Sequence, residues 1–255
     1  MKILDEKNNI IYLDNGFNFG LGAFETIKVT SKGYGVLLKE HIERLNNSLK
    51  ILEIDESINH KSIEQIIKDN KIKNCGLKIV VTDKNQVISL RDITYKKEDY
   101  YNGFNLKVSD YRRNSKSLLV YHKTLNYGEN ILEKRRASKE GFQEVIFLNE
   151  EDKLSEGAVS NLFFINNNRI YTPKVRCGLL NGVIRQWIIR NFNVIEGEYT
   201  LKDLLESQGA FLSNSLMGIM PINKVGDINI KRNSYIDDIR KSYLSFEGEM
   251  DNYDR

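Results

Sequence analysis

Two cysteines, two prolines, one tryptophan and three histidines are all that the 255 residues contain of those types. Each shortage excludes something. Cys75 and Cys177 form no CxxC and cannot build a disulfide framework, so a reducing cytoplasm is the expected home. Three histidines without cysteine partners offer no zinc spacing, and no metal is expected. No apolar window approaches the length of a membrane span, and MKILDEKNNIIYLD has no signal core, so no membrane partner is expected. Excess charge is also lacking: 38 basic residues face 35 acidic ones, for a net of +3. That balance argues against a nucleic-acid partner, yet it allows a local basic pocket for a small anionic substrate. GxGxxG and the P-loop pattern are both absent; GFNFGLG (16–22) has the wrong spacing and precedes a strand.

What is present reads as an α/β chain. Residues 1–13 suggest two short strands around a turn at KNN. FETIKV, SKGYG and VLL suggest a hairpin. Leu38, Ile42, Leu45, Leu49 and Leu52 recur at helical spacing. A second helix begins near Ser62, where Ser62 and Gln65 fit a capping box. GLKIVVT, VISLRDITY and FNLKVS read as strands, which makes the first part an α+β domain over 1–112. A polar linker follows at 113–120, and an α/β domain occupies 121–255. In this second domain SLLVY reads as a strand, NILEKRRASKEG as a helix, and EVIFL with VSNLFFI as a hairpin around NEEDK. GLLNGVIRQWIIRNF is a glycine loop feeding a helix. Thr200 and Asp203 cap a short helix, and a last helix starts after Ser234.

Five places could carry chemistry. Lys123, between an apolar run and a helix, is either a surface lysine or an amine for imine formation. Glu156 precedes a buried strand and needs a partner there, such as a protonated ring nitrogen; the alternative is a turn glutamate. Gly178 and Gly182 bracket a loop into a helix N-terminus, which suits a phosphate. Ser213, Asn214 and Ser215 end a strand with small polar groups. Arg44 flanks the apolar stripe of its helix and could face a phosphate or simply snorkel. An amine, an acid and a cationic, N–H-rich cup are together the needs of pyridoxal 5'-phosphate.

With these motifs in place, the chain resembles the fold type IV pyridoxal-phosphate enzymes, the class IV aminotransferase family with its D-amino acid aminotransferase-like fold. GLGAFETIKV, HIERL, HKTLNYGENILEKRRA, SEGAVSNLFFI, CGLLNGVIRQWII and FLSNSLMGIMPI stand in that family's order, nearly end to end. The resemblance implies an α+β N-terminal domain, an α/β pseudo-barrel C-terminal domain and a homodimer. It makes Lys123 the Schiff-base and proton-transfer lysine and Glu156 the partner of the ring nitrogen. Arg44, the amides of Val183 and Ile184 and the Ser215 hydroxyl become phosphate ligands, Asn214 belongs to the cofactor-binding set, and Tyr127 approaches from beside the ring. NSLMGIMPI is similar to the aminodeoxychorismate lyase branch, which implies conversion of 4-amino-4-deoxychorismate to 4-aminobenzoate and pyruvate, a step towards folate. A D-amino acid or branched-chain aminotransferase is the alternative. VVTDKN departs from the family by having Thr82-Asp83 where an arginine is common, so Lys28, Arg91 and Arg113 are the candidate cations for a substrate carboxylate. A non-catalytic binding protein on this scaffold would be expected to lack Lys123, Glu156 or Arg44, and all three are present.

Overall fold

The computed structural model describes residues 2–3 and 11–251, and the chain divides into two compact units. The first comprises the residues up to Thr94, the segment His122–Tyr127 and the chain from Ser245 onward. Its elements are β1 (Lys2–Ile3), α1 (Asn15–Phe19), β2 (Gly22–Val29), α2 (Leu38–Ile51), α3 (His60–Asp69), β3 (Cys75–Thr82) and β4 (Gln86–Arg91). The sheet order is β1-β4-β3-β2, with β2, β3 and β4 antiparallel and β1 parallel to β4. Register decides which side chains share a face. Phe24 lies opposite Val80, Thr26 opposite Lys78, and Lys28 opposite Gly76. The alternate residues Ala23, Ile27, Val29, Leu77, Ile79 and Val81 point the other way and join Leu38, Ile42, Leu45, Leu49, Ile63 and Ile67 in one apolar cluster.

The second unit comprises Tyr95–Tyr121 and Gly128–Leu244. It holds α4 (Lys97–Asn102), β5 (Phe104–Arg113), α5 (Gly128–Lys139), β6 (Glu144–Asn149), β7 (Leu154–Gly157), β8 (Asn161–Asn166) and β9 (Arg169–Pro173). Then come α6 (Val183–Asn191), β10 (Val194–Gly197), α7 (Leu201–Leu205), β11 (Ala210–Asn214), β12 (Gly218–Val225), β13 (Ile228–Asn229) and the start of α8 (Ser234–Asp251). The strands form one mixed sheet, β10-β9-β8-β11-β12-β5-β6-β7, with β13 on β12, curled into a half-barrel. Continuous apolar strands such as Leu162–Phe163–Phe164–Ile165 are buried on both faces, as expected where helices cover a sheet.

The structure departs from the expected elements at several points. SLLVY is not a strand: Leu118–Tyr121 is a 3-10 turn, and the residues after it take the pairing instead. The Phe24 N–H donates to the Lys123 carbonyl and the Leu125 N–H to the Gly22 carbonyl, each at 2.9 Å. After FETIKV the chain turns back for one bridge, Val29 with Gly35, but VLL then leads into α2 instead of forming a second strand, and β2 pairs with β3 along its length. EVIFL pairs with Leu154–Gly157, not with VSNLFFI, since the turn at Gly157–Ser160 ends that strand first. The second helix is capped by Asn59, whose side chain accepts the Lys61 N–H at 2.9 Å, and not by Ser62. The division after Thr94 differs from the expected boundary at 112, because β5 is hydrogen-bonded between β12 and β6 in the second unit's sheet. The KNN turn lies outside the described residues. α1, α4 and β9 had no counterpart in the sequence reading.

Candidate active site

In the first unit the reactive candidate is Lys123. The segment 122–127 is not a named strand, but Thr124 bridges Ala23 and the two hydrogen bonds above lock it to the start of β2. Lys123 Nζ thereby lies 4.4 Å from the centroid of the Phe24 ring and 5.0 Å from that of Tyr127. The two rings meet edge to face at 5.2 Å, so the amine is held against an aromatic corner. Asn126 secures the same segment by donating to the Gly20 carbonyl at 3.0 Å.

Beneath β2 lies a charged cluster that the sequence reading did not single out. Glu25 is fully buried on β2. Arg44 grips it with Nε at 2.6 Å and Nη2 at 2.7 Å, and His41 Nδ1 stands 2.7 Å from the same carboxylate. Burial pushes the Glu25 carboxyl up, but Arg44 and His41 more than reverse this and hold it at about 2. Burial lowers His41, outweighing the pull of Glu25. Arg44 therefore presents a guanidinium whose orientation is set from below by a carboxylate.

Two of the expected substrate cations also sit in this unit. Lys28 Nζ donates to Glu247 at 2.5 Å, so its charge is already engaged. Arg91 is exposed at the end of β4, opposite Gly76. Sequence reasoning missed Lys78. It shares the Phe24 face, its Nζ lies 4.8 Å from that ring, and burial and then Arg91 lower its pKa. Strand alternation from Phe24 through the β2–β3 pairing was the signal that could have found it.

In the second unit Glu156 is buried on β7. Its Oε2 accepts the Leu180 N–H at 3.0 Å, and its Oε1 lies 3.5 Å from Arg113 Nη2. Arg113, expected to bind substrate, is instead packed against the Phe147 ring, with Cζ 3.9 Å from the centroid. A register shift in β5 between Val108 and Arg112 precedes this placement, and such irregularities commonly re-aim a side chain. Leu180 belongs to the loop that leads into α6. Gly182 precedes the helix, no side chain caps the turn, and the amides of Val183 and Ile184 head it. A Cβ on Gly182 would stand 2.0 Å from Asn161 Oδ1, so only glycine admits this approach. At the end of β11, Ser213 Oγ is buried with no hydrogen-bond partner. Asn214 has its oxygen committed to the Leu216 and Met217 amides at 3.0 and 2.9 Å, while its amide nitrogen faces the Val159 carbonyl at 3.2 Å. It shapes the turn that carries the half-buried Ser215.

These donor sets fit a phosphorylated pyridinium aldehyde. An uncapped helix start and an orphaned buried hydroxyl suit a phosphate, a buried carboxylate suits a ring N–H, and a lysine amine suits an aldehyde. The chain belongs to the class IV aminotransferases, pyridoxal-phosphate enzymes: that family's description matches residues 22–225. Among relatives, the aminodeoxychorismate lyase of Bacillus subtilis is 31% identical, over 89% of this chain and 86% of its own. A D-alanine aminotransferase of Bacillus licheniformis is 25% identical, over 83% and 81%. Among solved structures, a Legionella pneumophila protein assigned as a 4-amino-4-deoxychorismate lyase superposes with a TM-score of 0.84 at 26% identity, covering 96% of this chain and 98% of that one. Among the described residues no helix is long and apolar enough to cross a membrane, and no cluster could hold a metal.

Two outcomes follow. Glu25→Ala leaves Arg44 without its buried counter-charge and should cost about 3–5 kcal/mol in urea unfolding. Because the folded pKa of Glu25 is depressed, its stabilisation is complete above the unfolded value near 4.5 and is lost as pH falls through about 2. The stability gap between wild type and variant should therefore narrow over that window; a gap independent of pH would refute the ion pair. Separately, Gly182→Ala should weaken pyridoxal phosphate binding by on the order of tenfold, ~1.4 kcal/mol. Unchanged affinity in a fluorescence titration would remove the α6 amides from the phosphate site.

Proposed function

We propose that this chain is a pyridoxal-phosphate lyase that converts 4-amino-4-deoxychorismate to 4-aminobenzoate and pyruvate, a step in folate synthesis. The likeness to the Bacillus subtilis lyase over most of both chains carries the substrate assignment. Lys123, held against Phe24 and Tyr127, carries the chemistry. When bound, the cofactor supplies an electron sink for the carbon that bears the substrate nitrogen.

The chain's own groups do the rest. Lys123 would hold the cofactor at its aldehyde and would be the base that takes the proton from the carbon bearing the substrate nitrogen. Glu156 would accept the hydrogen bond of a ring N–H and favour its protonated form. The Val183 and Ile184 amides, with Arg44, Ser213 and Ser215, would hold the phosphate, and Asn214 fixes the turn that presents Ser215. Tyr127 would flank the ring. Breaking the C–O bond to the enolpyruvyl group leaves an aromatic amine, and the departing enol regains a proton as pyruvate. The substrate carries two carboxylates, for which Lys78 and Arg91 are the best-placed cations, since Lys28 is engaged by Glu247. The active form is a cytoplasmic homodimer. The second reading, a class IV aminotransferase, draws on the D-alanine aminotransferase relative and would use the same cofactor groups.

The cofactor assignment is tested by borohydride reduction and peptide mapping: the label should fall on Lys123 and vanish in Lys123→Ala, and a label on another lysine would end the assignment. The substrate is tested by supplying aminodeoxychorismate beside a panel of D- and branched-chain L-amino acids with a keto-acid acceptor. Release of 4-aminobenzoate is expected; keto-acid formation without it would establish the aminotransferase.

A further inference from the structure

Arg113 is an unusual arginine. Its side chain is 6% exposed and packed over Phe147, and Nε and Nη2 have no hydrogen-bond partner. Its remaining contacts are two carboxylates: Nη1 reaches Glu129 Oε2 at 3.4 Å and Nη2 stands 3.5 Å from Glu156 Oε1. Burying a guanidinium with donors unmade costs free energy, and stability alone would favour an apolar side chain there. The arrangement makes sense if the charge is needed for its effect on a neighbour. Glu129 is half exposed and screened by water, whereas Glu156 is 9% exposed by side chain and has little solvent to stabilise its anion. The field of Arg113 is therefore felt most by Glu156.

We propose that Arg113 is a positioning residue that keeps Glu156 ionised and oriented, so that Glu156 can hold the cofactor's ring nitrogen protonated. The proposal rests on the cofactor reading above for its purpose, but not for its physics. Burial by itself would drive Glu156 toward its neutral acid, which could no longer favour a protonated ring. The Leu180 N–H fixes one carboxylate oxygen. Arg113 acts on the other by charge at a distance beyond a close hydrogen bond, and a carboxylate oxygen has lone-pair capacity for more than one donor. Phe147 packs against the guanidinium, with Cζ 3.9 Å from the ring centroid. Among the charged side chains at Glu156 and its partner are Arg113 on β5 and Glu129 on α5.

The test follows the Glu156 carboxyl by 13C NMR in full-length, cofactor-free protein labelled at glutamate side chains, with Glu156→Gln to assign the resonance. Arg113→Met should raise the Glu156 midpoint by about one pH unit or more, and Arg113→Lys should restore most of the difference. Glu129→Gln, an exposed change that removes the competing carboxylate, should lower the midpoint, and it serves where Arg113→Met does not fold. In loaded protein, Arg113→Met should make the visible absorption band pH-dependent in the range where Glu156 gains its proton. A Glu156 midpoint that stays put in both Arg113→Met and Glu129→Gln, or in the latter alone if the former is unfolded, overturns the proposal. Borohydride mapping of the same preparations reports on Lys123 separately, so a failed cofactor assignment and a failed role for Arg113 give different results.

Discussion

A carboxylate inside a protein must find a cation or give up its charge, and each unit meets this constraint at several buried acids, Glu25 and Glu156 among them. In the first unit Glu25 is on the inward face of β2, and the helix that covers the sheet must deliver a cation to it. α2 does so with Arg44 while burying Leu38, Ile42, Leu45 and Leu49 on the same side. The apolar stripe and the ion pair are therefore set by one register of helix on strand. A slip of α2 would break both. The start of β2, next to Glu25, is also where the Lys123 segment is hydrogen-bonded. The position of the Lys123 segment thus inherits the precision of a buried charge pair rather than that of a loop.

Glu156 meets the same constraint differently. Glu25 is gripped by two short hydrogen bonds from one arginine, whereas the Arg113 guanidinium stands at ion-pair range from Glu156, whose other oxygen accepts an amide N–H. The two buried Arg–Glu pairs are hence not equivalent: one is a close double hydrogen bond, the other a longer charge contact.

How much of this could be read from the sequence differs by residue. Alternation in AFETIKV places Glu25 on the same face as Ala23, Ile27 and Val29, so a buried acid was readable there, and helical spacing puts His41 in the stripe of α2. Gly182 was legible as the glycine before a helix, though its reason, the side chain of Asn161, was not. The Arg113–Glu156 pair was out of reach: the residues lie 43 apart in sequence, and their meeting depends on a register shift in β5 and on β6 pairing with β7. The hairpin expected from EVIFL and VSNLFFI hid that pairing, because two apolar runs look like partners whether or not a short strand such as Leu154–Gly157 intervenes. SLLVY misled for a related reason, since an apolar run signals burial more firmly than it signals a strand.

The stretch NSLMGIMPI shows where sequence likeness and physical cause part. Asn214 ties down the Leu216 and Met217 amides, Tyr100 donates to the Met217 carbonyl at 2.9 Å, and Gly218 has a φ of +65° with Tyr243 too close for a Cβ. Those residues are thus constrained by turn geometry and packing as well as by any ligand. A motif held this way marks descent, and its turn and packing contacts do not by themselves distinguish a lyase from an aminotransferase. The discrimination has to come from groups that meet the substrate's two carboxylates. On the Phe24 face of the first sheet stand Lys78 and Arg91 with Lys28, and Glu247 engages Lys28. Lys78 and Arg91, on adjacent strands and one register step from directly opposite, have their separation set by the backbone ladder rather than by side-chain flexibility alone.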